Sequence, residues 1–154
     1  MLGGYGPLIR VSTIQDMVKL QQASEVAATL ATSIIPDPTG YGRIVRDAQD
    51  RFQTIVEHKN ATPKQLEIHE VYPSYAIFDG GTLWECLDSL EPNELTNEYY
   101  LTEIPRMFIE RDLCVEVINT VAPQDILSIN TPEQLDQVEA ILLARIAKEV
   151  ESTA

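Results

Sequence analysis

Apolar and polar positions along this chain follow two periods, and the places where the period changes divide it into elements. Ala27 to Ile35 is β-branched often enough to predict a buried strand, although its alanines are weak strand formers. It runs into Asp37-Pro38-Thr39-Gly40, a predicted turn in which proline fixes φ at the second position and glycine accepts a positive φ at the fourth. Arg43 to Arg46 then alternates polar and apolar, Asp47-Ala48-Gln49-Asp50 can turn, and Phe52 to Val56 supplies the returning strand of a hairpin. Val71 to Phe78 and Leu113 to Ile118 complete the strands. Pro73 argues for an edge or an irregular start in the former, and the alternation of the latter places it near an edge.

Helical spacing fills the intervals. Ser12 with Gln15, or Thr13 with Asp16, can cap a helix whose inner stripe is Ile14, Met17 and Val18. Thr62-Pro63-Lys64-Gln65 has a cap, a first-turn proline and a closing glutamine, which predicts a short helix ending near His69. After Asp79-Gly80-Gly81 ends a strand, Thr82 and Glu85 repeat the capping box ahead of Leu83, Leu87 and Leu90. Glu91 to Asn97 reads as an exposed loop. Thr102 opens a helix carrying Ile104, Phe108 and Ile109, with Met107 at its margin. Thr131-Pro132-Glu133-Gln134 opens the strongest helix, with Leu135, Val138, Ile141, Leu142 and Ile146 expected to pack across a sheet. Strands alternating with helices, plus one hairpin, predict an α/β domain with a mixed sheet over residues 1–150 and a frayed tail at 151–154.

The 154 residues fit one domain with a substantial core, and the apolar fraction of 44% is ordinary. Charge changes the picture more: the net value is −13, and Gly81 to Thr120 holds nine acidic side chains against two arginines. Such a surface repels phosphate backbones, so duplex nucleic acid is not an expected partner. A phosphorylated ligand would need compensation from Arg43, Arg46, Lys59 or Mg²⁺. Cys86 and Cys114 lack metal-motif spacing and read as buried free thiols rather than a disulfide. No leader pattern opens the chain and no apolar run is long enough to cross a bilayer, so no membrane partner and a cytoplasmic location are expected.

The candidate chemistry gathers near the hairpin. Gly40-Tyr41-Gly42 leaves two backbone points bare, which lets a ligand approach closely or simply serves a tight turn. Glu57 offers several acceptor directions to a polyol, or pairs locally on the surface. His58 has no serine or cysteine nucleophile placed with it by any motif, which argues against a general base. Tyr72 and Tyr75 read as packing residues.

Three blocks carry a family resemblance: Asp37-Pro38-Thr39-Gly40-Tyr41-Gly42-Arg43-Ile44-Val45-Arg46, Ile55-Val56-Glu57-His58-Lys59-Asn60-Ala61-Thr62 and Glu98-Tyr99-Tyr100-Leu101-Thr102-Glu103. In order and separation they resemble the uridylyltransferase domain of the bifunctional family that makes UDP-N-acetylglucosamine. The likeness runs from about Gly4 to Ile146 and covers the later part of that catalytic domain. It implies a truncated Rossmann-like nucleotidyltransferase domain, in which UTP and N-acetylglucosamine 1-phosphate react with Mg²⁺ to give UDP-N-acetylglucosamine and pyrophosphate. The family's triphosphate-holding glycine-rich loop, arginine and catalytic lysine precede the matched region.

Carried over residue by residue, the resemblance has Gly40 offering its backbone to the sugar and Glu57 accepting hydrogen bonds from sugar hydroxyls or the acetamido group. Tyr99 and Thr102 face the sugar, Thr102 having a second role open to it as a helix cap. Asn130, within Ser128-Ile129-Asn130-Thr131, matches a metal-binding position. Tyr5 stands where the family places a metal-binding aspartate, and a neutral phenol is a poor ligand for Mg²⁺. Glu70-Val71-Tyr72-Pro73-Ser74 keeps the family's glutamate but replaces its asparagine, threonine and glycine.

The expectation is a degenerate N-acetylglucosamine-1-phosphate uridylyltransferase-like domain that keeps weak binding of N-acetylglucosamine 1-phosphate or UDP-N-acetylglucosamine. It would need no cofactor alone, and Mg²⁺ if a partner chain completed it. Two alternatives stand beside it: a noncatalytic structural or assembly subunit, and the sugar-binding half of a split nucleotidyltransferase. An exposed strand edge would favour a homo-oligomer or a complementary protein chain.

Overall fold

Val26–Ile34 (β1) lies inside the sheet, with eight of its nine residues buried. The computed structural model describes residues 6–23, 25–94 and 96–153, so the expectation placed on Tyr5 lies outside the described residues. β1 pairs antiparallel with Glu70–Phe78 (β4) on one side and parallel with Cys114–Asn119 (β5) on the other. Gly42–Arg46 (β2) joins the far side of β4, and Phe52–Val56 (β3) closes the hairpin, giving the order β3-β2-β4-β1-β5. Alternation along β1 feeds two cores. Leu30 packs with Ile44, Ile55, Cys86 and Phe108 beneath Gly80–Leu87 (α3) and Ile104–Glu110 (α4). Ala31 packs with Met17, Val71, Tyr75 and Ile126 beneath Val11–Ala23 (α1) and the 3-10 turn Pro123–Ile126. A mixed sheet flanked by helices is therefore what the alternation of periods indicated.

Several local expectations hold in detail. Thr62 and Gln65 close their capping box ahead of Pro63–Leu66 (α2). Thr131 Oγ1 accepts from Gln134 N, while Gln134 Oε1 accepts from Thr131 N, at the start of Pro132–Thr153 (α5). β5 is an edge strand.

Others are corrected. β4 is not at an edge: it sits between β2 and β1. Pro73 is tolerated there because the β2 ladder ends at Tyr72 and the β1 ladder is interrupted. Ala31 pairs with Tyr75 and Ser33 with Val71, so Tyr72, Pro73 and Ser74 bulge opposite the single residue Thr32. α1 begins at Val11, before either predicted cap, and Thr13 is buried within its first turn. α3 is capped by Asp79 rather than Thr82: Asp79 Oδ1 accepts from Thr82 N at 2.9 Å and from its hydroxyl at 2.7 Å.

α5 runs on to Thr153 and does not lie lengthwise across the sheet. Val138 is buried, whereas Leu135, Leu143, Ile146 and Val150 are exposed. Arg145 anchors it, donating to Leu8 O at 2.9 Å and to the buried Asp125 carboxylate, which Arg10 also engages. Cys86 is a buried free thiol as expected; Cys114 is free but exposed, at the outer end of an edge strand.

Candidate functional site

The turn ahead of β2 is set one residue later than its sequence reads. Tyr41 N donates to Pro38 O at 3.2 Å, which puts Gly40 at the third position with φ +84°, where glycine costs least. Asp37 Oδ1 accepts from Thr39 N at 3.1 Å and stiffens the approach. Hydrogen bonds from Thr39 hold the Asp37 carboxyl below its ordinary range.

Gly42 starts β2 against β3. A Cβ there would lie 2.9 Å from Ile55 Cγ2 and 3.9 Å from both carboxylate oxygens of Glu57, so the carboxylate stands over bare backbone. A Cβ on Gly40 would meet nothing within 4 Å. Gly42 is thus the glycine that shapes the space beside Glu57, and Gly40 the one that makes the turn. Thr102 arrives from 45 residues away, on the 3-10 turn Leu101–Glu103, and donates its hydroxyl to Glu57 Oε1 at 2.9 Å. This replaces the helix-cap alternative for Thr102, because α4 begins after Glu103. The bond orients the carboxylate and leaves Oε2 to accept from another donor.

These groups line one cleft of about 270 Å³. Gly40, Gly42, Glu57 and Thr102 share it with Tyr72, Pro73 and Ser74 of the β4 bulge, and with Ser128. Its volume lies just under the roughly 300 Å³ at which small-molecule sites commonly begin, room for a single ring rather than a whole nucleotide sugar. Burial, and then the Glu57 charge, push the Tyr72 phenol well above its ordinary value, so it stays protonated and able to donate.

Arg43 lies beneath this wall, 1% exposed. It donates to Tyr41 O through Nη1, while Nη2 stands 3.3 Å from His58 Nδ1. Its Nε is buried with no partner among the described residues. Burial lowers its pKa, with the Asp37 charge opposing. The guanidinium ties the Gly40–Gly42 turn to the segment after Glu57, and it occupies the imidazole nitrogen that a general-base role for His58 would use. No sequence pattern marked Arg43 as a buried cation; its place between β3 and β4 decides that.

Tyr99 is not brought into the cleft, its side chain being largely exposed. Asn130 is exposed as well: its N–H donates to Gln134 Oε1 at 2.7 Å and its amide donates to Ser128 Oγ at 3.0 Å. Among the described residues no group of three histidines, cysteines or carboxylates could hold a metal ion. One amide oxygen on an exposed turn does not make an octahedral Mg²⁺ site, so these residues do not fit that ion. A larger cleft of about 600 Å³ lies beside the far end of the hairpin, lined by Arg46, Arg51, Gln53 and Glu116. Its two arginines are already paired with Glu70 and Asp47, and none of the expected sugar-facing residues reaches it.

Comparison with known proteins places this geometry. A glucose-1-phosphate thymidylyltransferase structure from Bacillus anthracis superposes with a TM-score of 0.61 at 15% identity, over 83% of this chain and 48% of that one. Apo UDP-glucose pyrophosphorylase gives 0.61 at 14% identity, over 88% and 50%. The fold is the Rossmann-like α/β fold of nucleotidyltransferases.

Within that class the chain is homologous to the uridylyltransferase region of the bifunctional protein GlmU. The Alkaliphilus metalliredigens protein is 37% identical over 148 residues, 96% of this chain and 32% of the relative. The Clostridium novyi protein is 38% identical over 143 residues, 93% and 31%. The Solibacter usitatus protein is 34% identical over 145 residues, 94% and 31%. The chain therefore spans about a third of the length of the curated relatives it matches. No family model matches it. No helix among the described residues is long and apolar enough to cross a membrane.

Proposed function

We propose that this chain forms the sugar-recognising side of a nucleotidyltransferase-type site, binding N-acetylglucosamine 1-phosphate or the sugar end of UDP-N-acetylglucosamine. The observation that carries the reading is the convergence of Gly42, Glu57 and Thr102 from three separate segments on one small cleft, with the carboxylate held by Thr102 at 2.9 Å. Glu57 Oε2 accepts from a sugar hydroxyl or the acetamido N–H, the bare backbone at Gly42 lets the ring approach, and Arg43 fixes the two walls relative to each other. Orientation is the contribution of these groups to transfer. The described residues bring neither a triphosphate cradle nor a metal-holding carboxylate to the cleft, so the reading is binding without independent turnover, in the cytoplasmic setting expected of such chemistry.

Calorimetry with both ligands, paired with a pyrophosphate-release assay containing UTP and Mg²⁺, tests this. Saturable binding without turnover is expected. Silence toward both ligands would overturn the reading, and robust pyrophosphate release by the purified chain would overturn the claim of no independent turnover.

A second reading is favoured by one specific feature. Leu135, Leu143, Ile146 and Val150 leave an apolar stripe of α5 exposed. Association would cover it, in a homo-oligomer or with a complementary chain. Sedimentation showing a monomer across micromolar concentrations would count against it.

A further inference from the structure

The sheet ends in β3 on one side and β5 on the other, and twist brings these two ends into contact, with α4 packed against both. The cleft of about 600 Å³ lies along this junction, and its apolar lining is Phe52, Ile109, Val115 and Val117. Four consecutive residues of β5, Cys114 to Val117, line it. Side chains of a strand alternate between two faces, so a cleft that meets four residues in a row follows the backbone edge rather than one face. That edge is undefended. Exposed edges are commonly blunted by lysine or proline, and β5 reads Cys-Val-Glu-Val-Ile-Asn, with neither and with three β-branched residues. Its outer side pairs with no strand among the described residues. The charges beside it are unequally committed: Arg46 is held by Glu70 and Arg51 by Asp47, whereas Glu116 meets no cation among the described residues and accepts only the weak thiol donor of Cys114 at 3.7 Å.

We propose that the outer edge of β5 is a docking site for an extended segment of another protein, which joins the sheet as a strand and brings a lysine or arginine to Glu116. In such a complex main-chain hydrogen bonds supply the affinity and alternate side chains the specificity. Here alternate positions of the incoming strand meet the apolar lining, and Glu116 sets the sign of the charge between them. The four residues of edge run roughly 13 Å, which suits a segment of about four to six residues. A second copy of this chain is disfavoured as the occupant. The net charge is −13, and pairing β5 with β5 about a twofold axis at mid-strand sets the two Glu116 carboxylates close together, where like charges destabilise a strand pair. The surface shares no residue with the cleft beside Glu57, so the inference stands apart from the sugar-binding reading.

Cys114 reports on occupancy, being an exposed free thiol at the outer end of the strand, while Cys86 is buried. An acetylated and amidated peptide of alternating lysine and valine, titrated to millimolar concentration, should slow alkylation of Cys114 saturably. The same peptide methylated at every backbone nitrogen keeps the charges and loses the donors, and it should give no protection. A glutamate and valine counterpart should bind about fivefold more weakly, the value of one exposed ion pair, and Glu116→Lys should reverse that order. No saturable slowing, equal protection by the methylated peptide, or a preference that Glu116→Lys leaves unchanged would overturn the proposal. Slowing that appears without peptide and grows with protein concentration would also overturn it, by making a second copy the occupant.

Discussion

Glu70 offers the most direct check on how the hairpin that carries the cleft is held to the rest of the sheet. β2 and β4 share only two ladder pairs, Gly42 with Tyr72 and Arg43 with Val71, so the junction depends on side chains. Glu70 supplies them: its carboxylate accepts from Arg46 Nε at 2.8 Å, from Arg46 Nη2 at 2.9 Å and from Thr32 Oγ1 at 2.7 Å. The pair is mostly shielded, with 14% of the Glu70 side chain and 26% of the Arg46 side chain exposed. Glu70→Gln keeps the shape and removes the charge. Hydrogen bonds to a charged acceptor are worth roughly 1.5–3 kcal/mol each in full, but burying the carboxylate costs free energy and Arg46 can rehydrate, so the net loss is about 2 kcal/mol.

The pH dependence of that loss follows from the sign of the shift. Burial raises the Glu70 pKa, but the Arg46 and Thr32 hydrogen bonds and the Arg46 charge outweigh it and leave the group below its ordinary 4.5. A depressed carboxyl contributes its full stability above the unfolded value and loses it as pH falls through the folded one. Urea unfolding of both proteins should therefore differ by about 2 kcal/mol at pH 7, equivalent to about 4–8 °C in Tm for a domain of this size, and converge progressively below pH 4.5. A difference under about 0.5 kcal/mol at pH 7, or one that persists unchanged at low pH, would refute the reasoning.

Three further outcomes follow. Gly42→Ala drives a methyl to 2.9 Å from the branched Cγ2 of buried Ile55 and should cost about 1–3 kcal/mol in chemical denaturation, with weakened UDP-N-acetylglucosamine binding. Gly40→Ala meets open space but keeps φ +84°, so it should cost about 1 kcal/mol; a larger loss there than at Gly42 would contradict the division of roles between the two glycines. Thr102→Val removes the hydroxyl that orients Glu57, and calorimetry should show affinity falling about tenfold with stability changed by less than about 1 kcal/mol; unchanged affinity would remove Thr102 from the site.

Much of this was legible because it is local. The Thr62 and Thr131 capping boxes, the hairpin turn at Asp47–Asp50 and the buried β1 each depend on residues within a few positions, and they form where the sequence places them. Asp79 displaced Thr82 as a cap because the helix starts at Gly80, so the two glycines that read as the end of a strand lie in its first turn and Thr82 offers its own N–H to Asp79. Pro73 misled for a different reason: the bulge that excuses it is a property of the pairing between β1 and β4, not of either strand. The site divides the same way. Family resemblance pointed to Gly40, Glu57 and Thr102, and they meet; it also pointed to Tyr99 and Asn130, which stay on the surface. Arg43 and the Asp125 pairing with Arg10 and Arg145 needed the tertiary fold to become visible, since Arg43 meets only a backbone carbonyl and an imidazole 15 residues on, and both arginines lie far from Asp125 in sequence.

Mapping backbone amide shifts by NMR during titration with UDP-N-acetylglucosamine tests the central claim most directly. The account predicts saturable shifts concentrated on Gly40–Gly42, Glu57, Tyr72–Ser74 and Thr102, and lost in Glu57→Ala. Shifts gathered instead around Arg46, Arg51 and Glu116, or no saturable shifts at all, would contradict it.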